Sequence, residues 1–191
     1  AQQLAAGIRF FDIRVDERDD GGWEINHGSC DLFLSFEQVM DQMNAFLAAH
    51  PNEAILMSFQ PNNDDGPNFW EVYESYAAIY PRLLLAKSPP SGEPSSPALD
   101  NPNPSLGEVR GKILAISKNV DNHYSFLNMD DQNTFEDVTV GEKLQLVLEQ
   151  IQLAVQNPND EWIVHFASAS DPAGLLLIPE DYAFGINPVV Y

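Results

Sequence analysis

Short apolar segments of strand length alternate with amphipathic segments of helix length along most of this 191-residue chain. Strands are predicted at GIRFFDIRV (7–15), WEINHG (23–28), AILMSFQP (54–61), GKILAIS (111–117) and EWIVHFASAS (161–170). Most of these strands are separated by a helix. Strands joined by helical crossovers form a parallel sheet, so the chain folds either as a barrel or as an open doubly wound sheet.

Three segments have the apolar periodicity of helices. The segment 35–53 predicts a helix with Ser35 as its N-cap and with its end marked by Pro51. Residues 68–85 predict a helix that is interrupted at Pro81. Residues 141–157 predict a helix with a single apolar stripe, formed by Leu144, Val147, Leu148, Ile151 and Val155.

Size and composition predict one globular domain. The chain is long enough for one core, and 44% of its residues are hydrophobic, which excludes the disordered class. Residues 88–105, SPPSGEPSSPALDNPNPS, predict an exposed loop within this domain. Nine basic residues stand against 29 acidic residues, and the resulting charge of −20 argues against electrostatic binding to nucleic acid or to an anionic membrane.

Polar side chains recur at the carboxyl ends of the predicted strands. Alternation puts Asp12 and Arg14 on one face of the first strand, while His27, Gln60 and Lys118 stand at or just past the ends of three others. Ligands bind at this edge in barrels and open α/β sheets, so we expect the five side chains to converge on one pocket. The alternatives are a structural ion pair between Asp12 and Arg14, and a turn histidine at position 27.

Arginine and histidine together suit phosphoryl chemistry without a metal. The guanidinium fork matches phosphate oxygens, and the imidazole titrates near neutrality and can protonate a leaving oxygen. A metal site is disfavoured, because Arg14 beside Asp12 would repel a cation. The single cysteine, Cys30, excludes a disulfide framework and a multi-cysteine zinc site, and we expect it to be a small packed residue.

These motifs resemble the catalytic X-type domain of phosphatidylinositol-specific phospholipase C, in the bacterial-type, metal-independent branch of the phospholipase C-like phosphodiesterases. GIRFFDIRV, NHG, NAFLAAHPNEAILMSF and LGEVRGKIL follow the family's order and spacing. The match is strongest over residues 4–61 and 106–118, and it continues through EWIVHFASAS and EDYAFGINP. The resemblance implies a distorted TIM-type (β/α) barrel over residues 1–191.

The resemblance also implies a reaction and roles for individual residues. In that family the inositol 2-hydroxyl attacks phosphorus, diacylglycerol leaves, and a cyclic inositol phosphate forms without a cofactor. His27 matches the histidine that protonates the leaving oxygen, Arg14 the arginine that neutralises the phosphate, and Asp12 an acidic residue that orients them. The implied substrate-binding positions are Gln60, which stands where the bacterial enzymes place a lysine, Lys118 and Tyr182.

The chain departs from the family pattern at both ends of the implied barrel. The family's general base lies in a His-Asp motif on the first strand, and this sequence contains no His-Asp pair. A complete barrel takes about 250 residues, so we expect an incomplete barrel whose first and last strands are missing from this chain. Expected partners are an inositol phospholipid or a glycosyl-inositol anchor and, transiently, a membrane surface, with a secreted or extracellular location.

Two other functions remain open at this point. An inert member of the family would keep the pocket to bind a phosphorylated head group or a protein partner. A barrel glycosidase would need two carboxylates, and Asp12 is the one carboxylate that the sequence puts at a strand end.

Overall fold

The computed structural model describes residues 1–27, 30–61, 69–85, 104–117, 129–132, 134–136, 138–156, 162–170 and 177–190. The chain divides into two compact units, Ala1–Leu127 and Asn128–Tyr191. The strands are β1 (Phe10–Glu17), β2 (Trp23–His27), β3 (Cys30–Ser35), β4 (Ile55–Pro61), β5 (Leu83–Leu85), β6 (Ile113–Ser117), β7 (Met129–Gln132) and β8 (Trp162–His165). The helices are α1 (Gln2–Ala5), α2 (Phe36–Ala49), α3 (Phe69–Ala77), α4 (Leu106–Val109), α5 (Val140–Gln156) and α6 (Pro179–Val190).

The first unit is built on a six-stranded sheet in the order β3-β2-β1-β4-β6-β5. β1 pairs in parallel with β4, β4 with β6, and β6 with β5, as the predicted crossovers require. β2 and β3 extend this sheet as an antiparallel ribbon on the free side of β1. The described strands therefore form an open sheet, since β3 and β5 at its two edges are not paired with each other.

One face of the sheet packs against α2 and will be called the helix-covered face. The buried side chains of α2, Phe36, Met40, Met43 and Leu47, share one core with sheet residues that include Val15, Ile25 and Met57. The opposite face carries Asp12, Arg14 and Ser58 and will be called the site face. Alternation along β1 separates the two sets, because Phe11, Ile13 and Val15 are in or against the core while Asp12 is exposed.

α2 begins where the sequence predicts it. Ser35 accepts a hydrogen bond from the Gln38 backbone at 3.2 Å, and the Gln38 side chain accepts one from the Ser35 backbone at 2.9 Å, which completes a capping box. α2 is also tied to the α3 region by tyrosines. Tyr76 donates to Glu37 at 2.5 Å, and Tyr80 donates to Asp41 at 2.8 Å.

The second unit pairs β7 with β8 in parallel and packs α5 with α6. Its core contains Val147, Ala169, Tyr182 and Ile186. Lys143 is completely buried on α5 and donates from Nζ to the carbonyl of Thr134. Burial lowers its pKa below the ordinary lysine value.

Four sequence predictions are corrected by the structure. The apolar stripe predicted on α5 is only partly right, because Val155 is 75% exposed and Leu148 is exposed, whereas the charged Lys143 is buried. Residues 83–85, predicted to continue a helix past Pro81, form β5 instead. Residues 30–35, which were assigned no strand, form β3, and Cys30, expected to be packed, is exposed. Residues 88–103 of the predicted loop lie outside the described residues.

Candidate active site

Arg14 projects from β1 onto the site face, two residues beyond Asp12. Its side chain is half-buried, whereas Asp12 is exposed. In the part of the chain that the structure describes, neither side chain makes a hydrogen bond or an ion pair, and the three ion pairs found there use Arg9 and Arg18. The structural ion pair between Asp12 and Arg14 is therefore not formed. A half-buried guanidinium without a partner can receive an anion.

β4 brings two further polar residues beside β1. In the parallel pairing Asp12 stands opposite Ser58, which joins Asp12 and Arg14 on the site face, and the backbone of Gln60 stands opposite Arg14. The Ser58 side chain is fully buried, and within the described residues its hydroxyl has no hydrogen-bond partner. Convergence of the Gln60 side chain on the same pocket stays a prediction.

His27 is the last residue of β2 and its side chain is exposed. The pairing of β1 with β2 runs from Glu17 opposite Trp23 to Val15 opposite Ile25. The same register extended past Val15 would put Arg14 opposite Asn26 and Ile13 opposite His27, so Arg14 and His27 belong to adjacent strands. The pleat assigns His27 to the face of Trp23 and Ile25, opposite to that of Arg14, so a meeting of the two side chains at one phosphate stays a prediction.

Asn26, the residue before His27, is a feature that the sequence analysis missed. It is 8% exposed, and its Nδ2 donates to Asp16 Oδ2 at 2.7 Å and to Glu24 Oε1 at 3.5 Å. Its Oδ1 is buried without a hydrogen-bond partner among the described residues. The signal in the sequence was its position, because alternation puts it on the face of β2 that continues the site face of β1.

The remaining predicted positions have different outcomes. Lys118 lies outside the described residues. Tyr182 is fully buried in the core of the second unit, and its hydroxyl donates to the carbonyl of Val138. This placement suits a packing role, and its contact with inositol stays a prediction. His165 is half-buried at the end of β8, where burial and the charge of Lys143 lower its pKa below the ordinary value.

A separate open cleft of about 460 Å³ lies at the start of α2. Its lining includes Arg18, Glu24, Asp31 and Phe33, and none of the residues predicted for the site. Arg18 already pairs with Asp20 at 3.0 Å and lies 3.8 Å from Glu37. The cleft therefore offers an anion no unpaired cation.

Metal ligands and membrane spans were sought in the described part of the chain. No group of three or more histidine, cysteine, aspartate or glutamate side chains is arranged there to hold a metal ion. None of the helices there has both the length and the apolar character needed to cross a membrane.

Comparison with known proteins identifies the family. A sequence model described as "Phosphatidylinositol-specific phospholipase C, X domain" matches residues 1–119, more than half of the chain. The chain belongs to the phosphatidylinositol-specific phospholipase C X-domain family. The family assignment made from GIRFFDIRV and NHG is thus confirmed, and both motifs lie within the matched part of the X domain.

Bacterial relatives extend the likeness of this X domain. It is 27% identical to a "1-phosphatidylinositol phosphodiesterase" of Listeria monocytogenes over 97% of this chain and 58% of the relative. A protein of the same name from Staphylococcus aureus strain Newman is 29% identical over 61% of this chain and 36% of the relative. The chain thus spans less than two thirds of the length of these curated relatives.

Solved structures confirm the fold class of the X domain. The phosphatidylinositol-specific phospholipase C of Listeria monocytogenes superimposes with a TM-score of 0.77 at 25% identity, covering 99% of this chain and 68% of that one. A double mutant of the Staphylococcus aureus enzyme gives a TM-score of 0.76 at 23% identity, covering 99% and 69%. The fold is therefore the predicted TIM-type barrel, of which the six-stranded sheet is an incomplete part.

Proposed function

We propose that the protein carrying this chain is a metal-independent phosphodiesterase that cleaves phosphatidylinositol into diacylglycerol and cyclic inositol phosphate. Membership of the X-domain family supports this proposal, as do the names of the bacterial relatives. A glycosyl-inositol anchor contains the same phosphodiester and belongs to the same substrate class. Transient contact with a membrane surface, where such lipids reside, is part of the proposal.

The observation that carries the proposal is the side chain of Arg14. It is half-buried on the site face, and none of the described residues pairs with its guanidinium. A phosphodiester has two non-bridging oxygens that the guanidinium fork can bind simultaneously. In the transition state these oxygens gain negative charge, and a fixed cation there lowers the barrier.

His27 and Asp12 complete the proposed group. The exposed imidazole of His27, at the end of β2, turns to the phosphodiester and gives a proton to the leaving oxygen of diacylglycerol. The inositol 2-hydroxyl forms the new bond to phosphorus as the bond to the diacylglycerol oxygen breaks. A base must take the proton of that hydroxyl, and we assign this role to no described residue. Asp12, exposed beside Arg14, orients the two cationic partners.

Head-group recognition falls to other positions. Gln60, whose backbone stands beside Arg14, contacts inositol hydroxyls through its amide. Lys118 and Tyr182 are proposed for the same role on the family resemblance alone.

A second function, binding of a phosphorylated head group without turnover, is favoured by one observation. The sequence carries Gln60 where the bacterial enzymes place a lysine. Incubating the protein with phosphatidylinositol vesicles and following the products by phosphorus NMR separates the two functions. Formation of cyclic inositol phosphate supports the phosphodiesterase function. Vesicle binding with unchanged lipid supports binding without turnover and overturns the phosphodiesterase function.

A further inference from the structure

The side-chain amide of Asn26 is hydrogen-bonded to described residues through its nitrogen but not through its oxygen. Its Nδ2 donates to Asp16 Oδ2 at 2.7 Å and, at 3.5 Å, to Glu24 Oε1. Its Oδ1 is buried and has no hydrogen-bond partner in the described ranges of the chain. A buried acceptor without a donor is unfavourable, so Oδ1 is open to a donor that no described residue supplies in this structure.

The side chain of Arg14, on the strand beside Asn26, finds no hydrogen-bond acceptor among the described residues. Continuing the pairing of Val15 with Ile25 by one residue puts Arg14 opposite Asn26. Residues opposite each other in an antiparallel pair project from the same face at close distance. Arg14 has five N–H donors, and none of them is bonded to a described residue.

Asp16 decides which end of the amide is available to Arg14. A carboxylate accepts hydrogen bonds only, so the amide group that faces Asp16 must be the Nδ2 donor. The carbonyl end is thereby left as the free end. Without Asp16 the amide could turn and present its N–H groups to a guanidinium that has only donors.

We propose that Asn26 is a positioning residue for Arg14. When a phosphodiester binds to one edge of the Arg14 guanidinium, an N–H on another edge donates a hydrogen bond to Asn26 Oδ1. This hydrogen bond fixes the orientation of the guanidinium plane. Asp16 holds Asn26 in the orientation that this contact needs. The proposal deepens the proposed function and rests on it for its kinetic consequences, whereas the contact between the two side chains can be tested alone.

The kinetic test is a double-mutant cycle in the full-length protein with phosphatidylinositol as substrate. Asn26→Ala is expected to lower kcat/KM about tenfold, mainly through kcat, when Arg14 is present, and to have almost no effect in the Arg14→Lys background. Asn52→Ala, an exposed asparagine in the turn after α2, is the matched control and should leave kcat/KM unchanged. Equal losses from Asn26→Ala in both backgrounds would show that Asn26 does not act through Arg14.

A second measurement compares the unsubstituted protein with Asn26→Ala and does not depend on turnover. Nitrogen NMR of the arginine side chains, with inorganic phosphate as the probe, should reveal an Arg14 N–H that exchanges slowly with water. The same N–H should exchange fast in Asn26→Ala. Absence of any protected Arg14 N–H in the phosphate-bound protein overturns the contact.

The two measurements separate the failure of this inference from that of the proposed function. A protein that cleaves no inositol phosphodiester but shows the protected N–H contradicts the proposed function and keeps the contact. Cleavage of phosphatidylinositol, together with additive effects in the double-mutant cycle and no protected Arg14 N–H, supports the proposed function and contradicts the role of Asn26.

Discussion

Ser58 stands directly beside Asp12 in the pairing of β4 with β1, and its buried hydroxyl is unpartnered among the described residues. Asn26 Oδ1, on the face of β2 that continues the site face, is likewise buried without a partner among the described residues. Two such acceptors beside the partly exposed Arg14 suit a surface that is completed by a polar ligand.

The first prediction concerns Ser58→Ala. The hydroxyl makes no hydrogen bond to a described residue, so its removal should leave the free energy of unfolding unchanged or slightly raised. The loss of one neutral hydrogen bond to the bound substrate should lower kcat/KM by about 3- to 10-fold. Urea unfolding and steady-state kinetics check the two parts. A loss of stability above about 1 kcal/mol would show that the hydroxyl has a partner in the free protein.

The second prediction concerns Arg14→Lys. An ammonium keeps the charge but cannot bind two phosphate oxygens as a fork, so kcat/KM for phosphatidylinositol should fall about 100-fold. Arg14 has no ion pair with the described residues to lose, and stability should stay near that of the parent. Arg110→Lys, at an exposed arginine, is the matched control. Equal activity of the two variants would remove Arg14 from the site.

The third prediction is that chelators leave the activity unchanged. In the proposed mechanism Arg14 supplies the charge that a metal ion would otherwise supply, so turnover needs no metal ion. Turnover should be the same in EDTA as in added calcium. Loss of activity in EDTA with recovery on calcium addition would assign the protein to a metal-dependent mechanism.

The fourth prediction concerns alkaline stability. Burial, and then the hydrogen bond to Asp41, raise the pKa of Tyr80 to about 12. An unfolded tyrosine titrates near pH 10, so between about pH 10 and 12 the unfolded chain loses a proton that the folded protein keeps. Stability should therefore fall with pH in this window and fall less steeply in Tyr80→Phe. Parallel slopes of the two proteins in urea unfolding at several pH values would contradict this.

The sequence correctly predicted those helices and strands whose local residue pattern favours the same structure as their tertiary contacts. Ser35 forms the expected cap of α2, and β2 occupies the predicted segment up to His27. β3 was missed because its register slips opposite Glu24–Asn26, where Phe33 has a φ of 53° and the two-residue alternation is lost. β5 was missed because its three leucines carry no alternation, and its pairing with β6 decides its structure.

The prediction of the site was limited for the same reason, because contacts between strands cannot be derived from the local residue pattern of one strand. Alternation correctly grouped Asp12 with Arg14, and the pairing with β4 added Ser58. The role of Asn26 depends on which β1 residue it faces, and register across two strands cannot be obtained from either strand alone. The burial of Lys143, which lies outside the predicted apolar stripe of α5, likewise depends on the carbonyl of Thr134, which accepts its hydrogen bond from outside the helix.

The central claim is that Arg14 and His27 act on one phosphodiester, the first on its charge and the second on its leaving group. The most direct measurement compares His27→Ala on phosphatidylinositol and on an inositol phosphodiester whose leaving group is p-nitrophenol, which departs without a proton, with His50→Ala as the control. We predict a loss of about 100-fold or more on the lipid, a small loss on the nitrophenyl ester, and a large loss on both substrates for Arg14→Lys. Equal losses of His27→Ala on the two substrates, or none on either, would contradict the account.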